Sequence, residues 1–234
     1  MAAASNGKSL DQQQELFTKI ARQYDLINHI MTGWQDIRWR KAAVKQLQLP
    51  PSGTLLDIGS GNGQIIQEAV RQYPDCRCIA ADLTQAMMMI GRQKLTGKNT
   101  SWSSADSAYL PFPEGSFDGV ISGFLVRNLA DIMLGLRDQY RVLKPGGKIA
   151  VLDTTKPPKH MLAPLIRFYM TKVIPAIGGL LTGYKEAYTY LNDSTVGFMR
   201  AEELAAYLAA VGFKKVAYQQ FAFGMISVHW GEKP

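Results

Sequence analysis

An apolar run, Leu55-Leu56-Asp57-Ile58, passes directly into Gly59-Ser60-Gly61-Asn62-Gly63. Three glycines at alternate positions let the chain turn sharply, and they leave backbone N–H groups open to a ligand with no Cβ in the way. A helix starting at such a turn points its positive end toward the ligand, which suits a carboxylate as well as a phosphate. The spacing Gly59-x-Gly61-x-Gly63 differs from the G-x-G-x-x-G that accommodates a dinucleotide pyrophosphate. An ordinary tight turn would use the same glycines, so the polar points further along decide the reading. Asp82 stands at the end of the next apolar run, nineteen residues past Gly63, where a carboxylate accepts hydrogen bonds from both hydroxyls of a ribose. Asp106 and Ser107 follow the third run, where an adenine amino group would be read. Asn62, Leu83 and Gly123 complete the expected contact set, with Asp57 orienting the loop or a ligand's ammonium rather than doing chemistry. Adenine, ribose and an amino-acid tail without a diphosphate describe S-adenosylmethionine.

These residues need strand ends to stand on. Thr54–Ile58, Arg77–Ala81, Thr100–Ser103, Phe117–Ser122 and Lys148–Leu152 read as strands. Helices Gln64–Gln72, Gln85–Lys94 and Ile132–Leu143 alternate with them, and a Lys144-Pro145-Gly146-Gly147 turn precedes the fifth strand. That alternation predicts an α/β fold with a doubly wound, mostly parallel, seven-stranded sheet. The last two strands, near Lys215–Phe221 and Met225–Trp230, are joined at Phe223-Gly224, too short a link for anything but an antiparallel pair. Upstream, Leu16, Ile20, Tyr24, Ile27 and Met31 recur at helical spacing over Leu10 to Trp39, and Arg38 to Gln48 continues as helix until Pro50-Pro51 ends it. The expected organisation is a flexible lead over residues 1–9 and one domain over 10–234, with a helical cap at 10–50 and a helical insertion or lid at 160–195.

Composition excludes several classes. The 234 residues are 47% hydrophobic, which argues against disorder and supplies a core that needs no staple. Two cysteines and three histidines are too few for a disulfide scaffold or a zinc cluster, so no metal is expected. Cys76 and Cys78 sit two apart in a strand and read as reduced, buried thiols. Met1 to Ser9 lacks the apolar core of a secretory signal, and the apolar stretch Met161–Tyr184 is interrupted by Arg167, Lys172 and two prolines. A cytoplasmic protein is expected. The net charge of +7 follows no single stripe, so nucleic acid is not expected as a partner, and attraction to an anionic membrane surface is equally compatible.

Four stretches are similar to those of class I methyltransferases: the glycine loop, Leu110-Pro111-Phe112-Pro113 with Ser116-Phe117-Asp118, Arg127-Asn128, and Arg141-Val142-Leu143-Lys144-Pro145-Gly146-Gly147. Three others narrow the resemblance to the ubiquinone/menaquinone biosynthesis C-methyltransferases: Tyr24-Asp25-Leu26-Ile27-Asn28 with Met31-Thr32 and Trp39, Phe124 to Asn128, and Ala187-Tyr188-Thr189-Tyr190-Leu191 with Ser194. The resemblance covers about Leu16 to Trp230. The chain departs from the family pattern at Gln64, where an aspartate is usual, at Asp36, where a histidine is usual, and at Leu125-Val126 within the Phe124 to Asn128 segment. The resemblance implies S-adenosylmethionine-dependent methylation of a demethylmenaquinol-type ring carbon, with an isoprenoid quinol as substrate.

A sulfonium methyl is already activated, so the protein's work is alignment and exclusion of water. A ring carbon becomes a nucleophile once a neighbouring hydroxyl loses its proton, so the quinol is the acceptor and its phenolate needs a base or a cation nearby. The resemblance points to Arg127 as that cation and Asn128 as the group holding the quinol oxygen or a water; the alternative for Arg127 is a helix cap or a structural pair with Asp131. Asp25 is the candidate proton acceptor, while Tyr24, Asn28 and Tyr190 are expected to line the acceptor pocket. His229, alone in a terminal strand, reads as structural. The insertion, with Phe168, Tyr169 and Ile174, would wall a tail channel and rest on a membrane interface, or else pack as a lid or a homodimer contact. An O- or N-methyltransferase of another small molecule would use the same cofactor half. A cofactor-binding scaffold without turnover and an RNA methyltransferase are the more distant alternatives.

Overall fold

The computed structural model describes residues 15, 17–19, 21, 23–156, 173 and 198–234. Two helices, α1 (Tyr24–Thr32) and α2 (Gln35–Leu47), lead into the alternating part of the chain. There follow β1 (Thr54–Ile58), α3 (Gln64–Gln72), β2 (Arg77–Asp82), α4 (Gln85–Lys94) and β3 (Thr100–Ser104). The second half holds β4 (Phe117–Gly123), α5 (Ile132–Val142), β5 (Leu143–Thr154), α6 (Ala201–Val211), β6 (Lys214–Phe221) and β7 (Ile226–Glu232).

The seven strands form one sheet in the order β3-β2-β1-β4-β5-β7-β6. Pairing is parallel from β3 through β5, and β7 runs antiparallel to both β5 and β6. Side chains alternate across the strands with period two, and helices cover both faces. On one face Leu55, Ile121 and Leu152 pack with Val44 and Leu47 of α2 and Ile66 of α3. On the other, Leu56, Val120 and Val151 pack with Leu136 of α5 and Leu204 and Leu208 of α6. Each strand end facing α1 is therefore held from two sides, which makes it a rigid platform.

Two local expectations are corrected. The helical pattern from Leu10 to Trp39 is broken, because Gly33 and Trp34 both adopt left-handed backbone, at φ 57° and 60°. Gly33 takes that conformation without a Cβ penalty, and the Trp34 N–H caps the end of α1 by donating to the His29 carbonyl at 2.8 Å. The Lys144-Pro145-Gly146-Gly147 stretch is no separate turn but lies inside β5 as a bulge. The register steps from Phe117–Leu143 to Gly119–Lys148, and Gly146 and Gly147 exchange backbone hydrogen bonds with Lys233 instead. The predicted helical insertion, and Tyr190 with it, lies outside the described residues.

Candidate active site

The chain builds β1, β2 and β3 outward to one edge and then returns to place β4 on the other side of β1. Open α/β sheets bind ligands in the crevice that such a reversal opens. A cleft of about 390 Å³ lies there, between the glycine loop, the ends of β2 and β4, and Tyr24 of α1.

Its floor is the predicted loop. Gly59, Gly61 and Gly63 all have positive φ. A Cβ on Gly59 would stand 2.9 Å from Leu125 Cδ1, and one on Gly63 2.8 Å from Leu95 Cδ1, so both positions demand glycine on conformation and on space. The Gly59 and Ser60 N–H groups donate to the Ala81 carbonyl at 2.8 and 3.1 Å, tying the loop to the end of β2. Asp82 completes that tie: its carboxylate accepts from the Gly61 N–H and the Thr84 N–H, each at 2.7 Å. Each oxygen keeps a further acceptor position. Burial raises the Asp82 pKa, and the backbone N–H groups of Thr84 and Gly61 work against that rise.

Asp57 lies within β1, fully buried, and does not line the cleft. Neither of its oxygens has a hydrogen-bond partner. Burial pushes its pKa well above the carboxylate range, the Asp82 charge adds to the push, and Arg40 opposes it. Asp106 and Ser107 both line the cleft, and Asp106 shapes its own turn by accepting from the Ala108 N–H at 2.9 Å. Leu83, Asn62, Gly123 and Asn128 line it as well, whereas Gly63 does not.

The N-terminal residues divide. Tyr24 lines the cleft, its ring edge-on to Phe17 at 6.0 Å between centroids. Asp25 does not line it. Its carboxylate accepts from Asn62 Nδ2 at 2.6 Å and is paired with Lys94, so it ties α1 to the glycine loop and to α4. Asn28 also stays off the cleft wall, its carbonyl accepting from Thr32 Oγ1 at 2.7 Å. Arg127 sits beside the cleft without lining it, in the 3₁₀ turn Val126–Asn128 that follows β4. Its side chain is 5% exposed and its partner is Asp153, not Asp131: Nη1 lies 2.7 Å from the carboxylate, and the Arg127 backbone N–H donates to it at 3.2 Å. Asp131 instead caps α5, accepting from the Leu134 N–H at 2.9 Å. The guanidinium stands 5.1 Å from the Phe124 ring centroid, and its Nε–H is buried without a partner.

Two residues of this neighbourhood escape a reading of the sequence. Arg40 on α2 lines the cleft, buried and held by Asp36, whose carboxylate also takes His29 Nδ1 at 2.8 Å and Thr32 Oγ1 at 2.9 Å. Burial would raise the Asp36 pKa, but His29, Arg40 and Thr32 together hold it below the usual value. Nothing in the sequence ranks Arg40 above the other cations of α2. Asp153 carried a usable signal, an acid at the end of a buried apolar strand, where parallel sheets place functional groups. His229 is structural, buried between the Ala201 carbonyl at 2.8 Å from Nε2 and Ser227 Oγ at 3.2 Å from Nδ1. Cys76 and Cys78 are buried free thiols, 3.3 Å apart between sulfurs. Among the described residues no group of three or more His, Cys, Asp or Glu could hold a metal ion.

The same cleft also has an apolar lining in Leu125, Leu129 and Leu134, beside the polar Asn128 and Asp131. The expectation of open N–H groups in the glycine loop is corrected: those of Gly59, Ser60, Gly61 and Gly63 all donate within the protein, which fixes the shape of the loop. A tightly turned glycine loop, a strand-end carboxylate with spare acceptor positions and an adjoining leucine lining fit S-adenosyl-L-methionine next to an aromatic acceptor.

Comparison with known proteins agrees with this geometry. Among solved structures, a SAM-dependent methyltransferase from Thermotoga maritima superposes with a TM-score of 0.63 at 20% identity, covering 95% of this chain and all of that one. Human N-acetylserotonin methyltransferase in complex with SAM gives 0.63 at 18% identity, covering 94% of this chain and 59% of that one. These likenesses establish a shared fold. Closer in sequence is a ubiquinone/menaquinone biosynthesis C-methyltransferase UbiE from Desulfotalea psychrophila, 38% identical over 94% of this chain and 89% of that protein. A demethylmenaquinone methyltransferase from Thermus thermophilus is 37% identical over 94% of this chain and the whole of that protein. The family model described as the ubiE/COQ5 methyltransferase family matches residues 5–233. On that match and those identities over nearly the whole chain, the chain belongs to the ubiE/COQ5 methyltransferase family.

Proposed function

We propose that this protein methylates a ring carbon of a demethylmenaquinol-type hydroquinone, using S-adenosyl-L-methionine, as a peripheral enzyme at the cytoplasmic face of a membrane. The observation that carries the reading is the single cleft that joins Asp82 and the glycine loop to Asn128 and the leucine wall. One enclosure therefore serves a polar nucleoside and an apolar acceptor side by side. The relatives named for ubiquinone/menaquinone biosynthesis and for demethylmenaquinone support the choice of acceptor. Among the described residues no helix is long and apolar enough to cross a membrane, in keeping with peripheral placement.

The cofactor supplies an electrophilic methyl on a positively charged sulfur, which departs as a neutral thioether. The protein's residues supply alignment and charge. Asp82 receives the ribose hydroxyls at its spare acceptor positions, and Asp106 and Ser107 read the adenine. Arg40 receives the tail carboxylate; Asp36 holds one of its arms, and the described residues give its other N–H groups no acceptor. Asp57, buried in β1 behind the loop, supports the strand end from below rather than touching the ligand. Asn128 orients the quinol hydroxyl. Arg127, kept in place by Asp153, lowers the free energy of the phenolate, and its unpartnered Nε–H is the donor that a nearby oxyanion would satisfy. The phenol proton passes to solvent water, electron density moves to the ring carbon, and that carbon takes the methyl as the bond from sulfur breaks. The ring carbon then gives up its own proton to restore aromaticity, one proton returning to the phenolate oxygen and one net proton leaving to solvent. Asp25, committed to Lys94 and Asn62, holds α1 over the loop rather than carrying the proton.

Incubation with methyl-labelled cofactor and demethylmenaquinol, followed by mass spectrometry of the product, tests the reading. A new C–CH₃ bond is expected. An O–CH₃ product, or no transfer while an unrelated phenol is methylated, would overturn it.

A further inference from the structure

Four large apolar side chains stand on the outside of the N-terminal helix pair: Leu26 and Ile30 on α1, Trp34 in the turn and Ile37 on α2. They are 58, 36, 56 and 40% exposed. The core does not need them. The same helices already bury Ile27, Trp39, Val44 and Leu47, and Tyr24 lines the cleft. Adjoining them on α2 are Arg38, Lys41 and Lys45, all exposed and none in an ion pair among the described residues. The two carboxylates of this stretch are spoken for, Asp25 by Lys94 and Asn62, Asp36 by Arg40, His29 and Thr32. Among the described residues, the face offers aliphatic and indole surface beside positive charge with no carboxylate paired to it.

From this arrangement we infer that the outer face of α1 and α2 docks on an anionic phospholipid bilayer. Apolar side chains flanked by lysine and arginine are how interfacial helices enter the boundary between head groups and acyl chains. A second copy of the chain fits less well, since a twofold contact would gather two copies of the basic cluster Arg38, Lys41 and Lys45 into one interface. The inference rests on the reading of the substrate as an isoprenoid quinol, and it deepens that reading: the helix that docks is the one whose Tyr24 lines the cleft, so the mouth is held next to the phase in which such a substrate dissolves.

Co-sedimentation of the full chain with phosphatidylcholine vesicles, with and without phosphatidylglycerol, tests the surface directly. Binding is expected only to the anionic vesicles, weakening with salt, together with a blue shift from Trp34, the exposed one of four tryptophans. Combined Leu26→Ser, Trp34→Ser and Ile37→Ser substitutions, and separately Arg38→Gln, Lys41→Gln and Lys45→Gln, should each weaken vesicle binding by about tenfold or more. Both variants should keep the wild-type melting temperature and methyl transfer to a tail-less, water-soluble quinol, while losing transfer to a long-tailed quinol in vesicles. Wild-type protein that stays in the supernatant, or variants that sediment as it does, would overturn the inference. So would a wild-type dimer in sedimentation velocity that the serine variant turns into a monomer. Absence of transfer to every quinol, with vesicle binding intact, would sink the substrate reading and leave the docking surface standing.

Discussion

Asp57 is a buried carboxyl with no hydrogen-bond partner, set in β1 between the Asp82 charge and the Arg40 guanidinium. Its raised pKa has a definite consequence. Between the unfolded value near 3.8 and the higher folded one, the native state holds a proton that the unfolded state has released, so stability falls as pH rises through that window. The loss approaches about 1.4 kcal/mol per pH unit for one proton. Chemical denaturation of wild type and Asp57→Asn across pH 4 to 8 should show that slope in the wild type and a shallower one in the variant; parallel curves would refute it. Arg40→Met is expected to weaken cofactor binding by about 10- to 100-fold, the worth of a charged hydrogen bond, with kcat at saturating cofactor little changed. Calorimetry and steady-state kinetics separate the two quantities. Arg127→Lys should do the reverse, because an ammonium cannot keep both the Asp153 contact and a second directed donor: kcat drops about 100-fold while cofactor affinity holds.

At the scale of elements, the site depends on how closely α4 approaches the glycine loop. A Cβ on Gly91 would lie 2.1 Å from Trp102 Cη2 and 2.9 Å from the Asn62 carbonyl carbon. Gly91→Ala must push apart β3, α4 and the loop, and should destabilise the fold by about 1–3 kcal/mol while weakening cofactor binding. A denaturant midpoint and a titration on the same variant check both halves. The strands and most helices were legible because each carries its own period, two across the sheet and near four along Leu16 to Met31. The break at Gly33-Trp34 was not, since a left-handed residue leaves no mark on that period until the chain is seen to turn there. The glycine pair of β5 misled in the opposite direction: Gly146-Gly147 suggests a turn, but Lys233, far along the chain, pairs with both glycines and keeps them in the strand.

For the molecule as a whole, a ligand that binds only the folded state raises its stability by mass action. S-adenosyl-L-methionine at a hundredfold excess over its Kd is expected to raise the melting temperature by about 5–10 °C, with NADH giving no shift. Differential scanning fluorimetry with both nucleosides decides it, and a shift with NADH alone would remove the cofactor assignment.

The amino-acid sequence by itself determined the sheet, the glycine loop, the strand-end carboxylate at Asp82 and the kinship with methyl-transferring enzymes, because these follow from local periodicity, from backbone conformations open to glycine, and from residue order along one strand and turn. Only the tertiary structure decided which charges meet. Arg127 with Asp153, Asp25 with Asn62 and Lys94, and the entry of Arg40 into the cleft each join segments far apart in the chain or hang on which way a helix is rolled. Pairing of that kind is set by packing, and one-dimensional spacing carries no record of it.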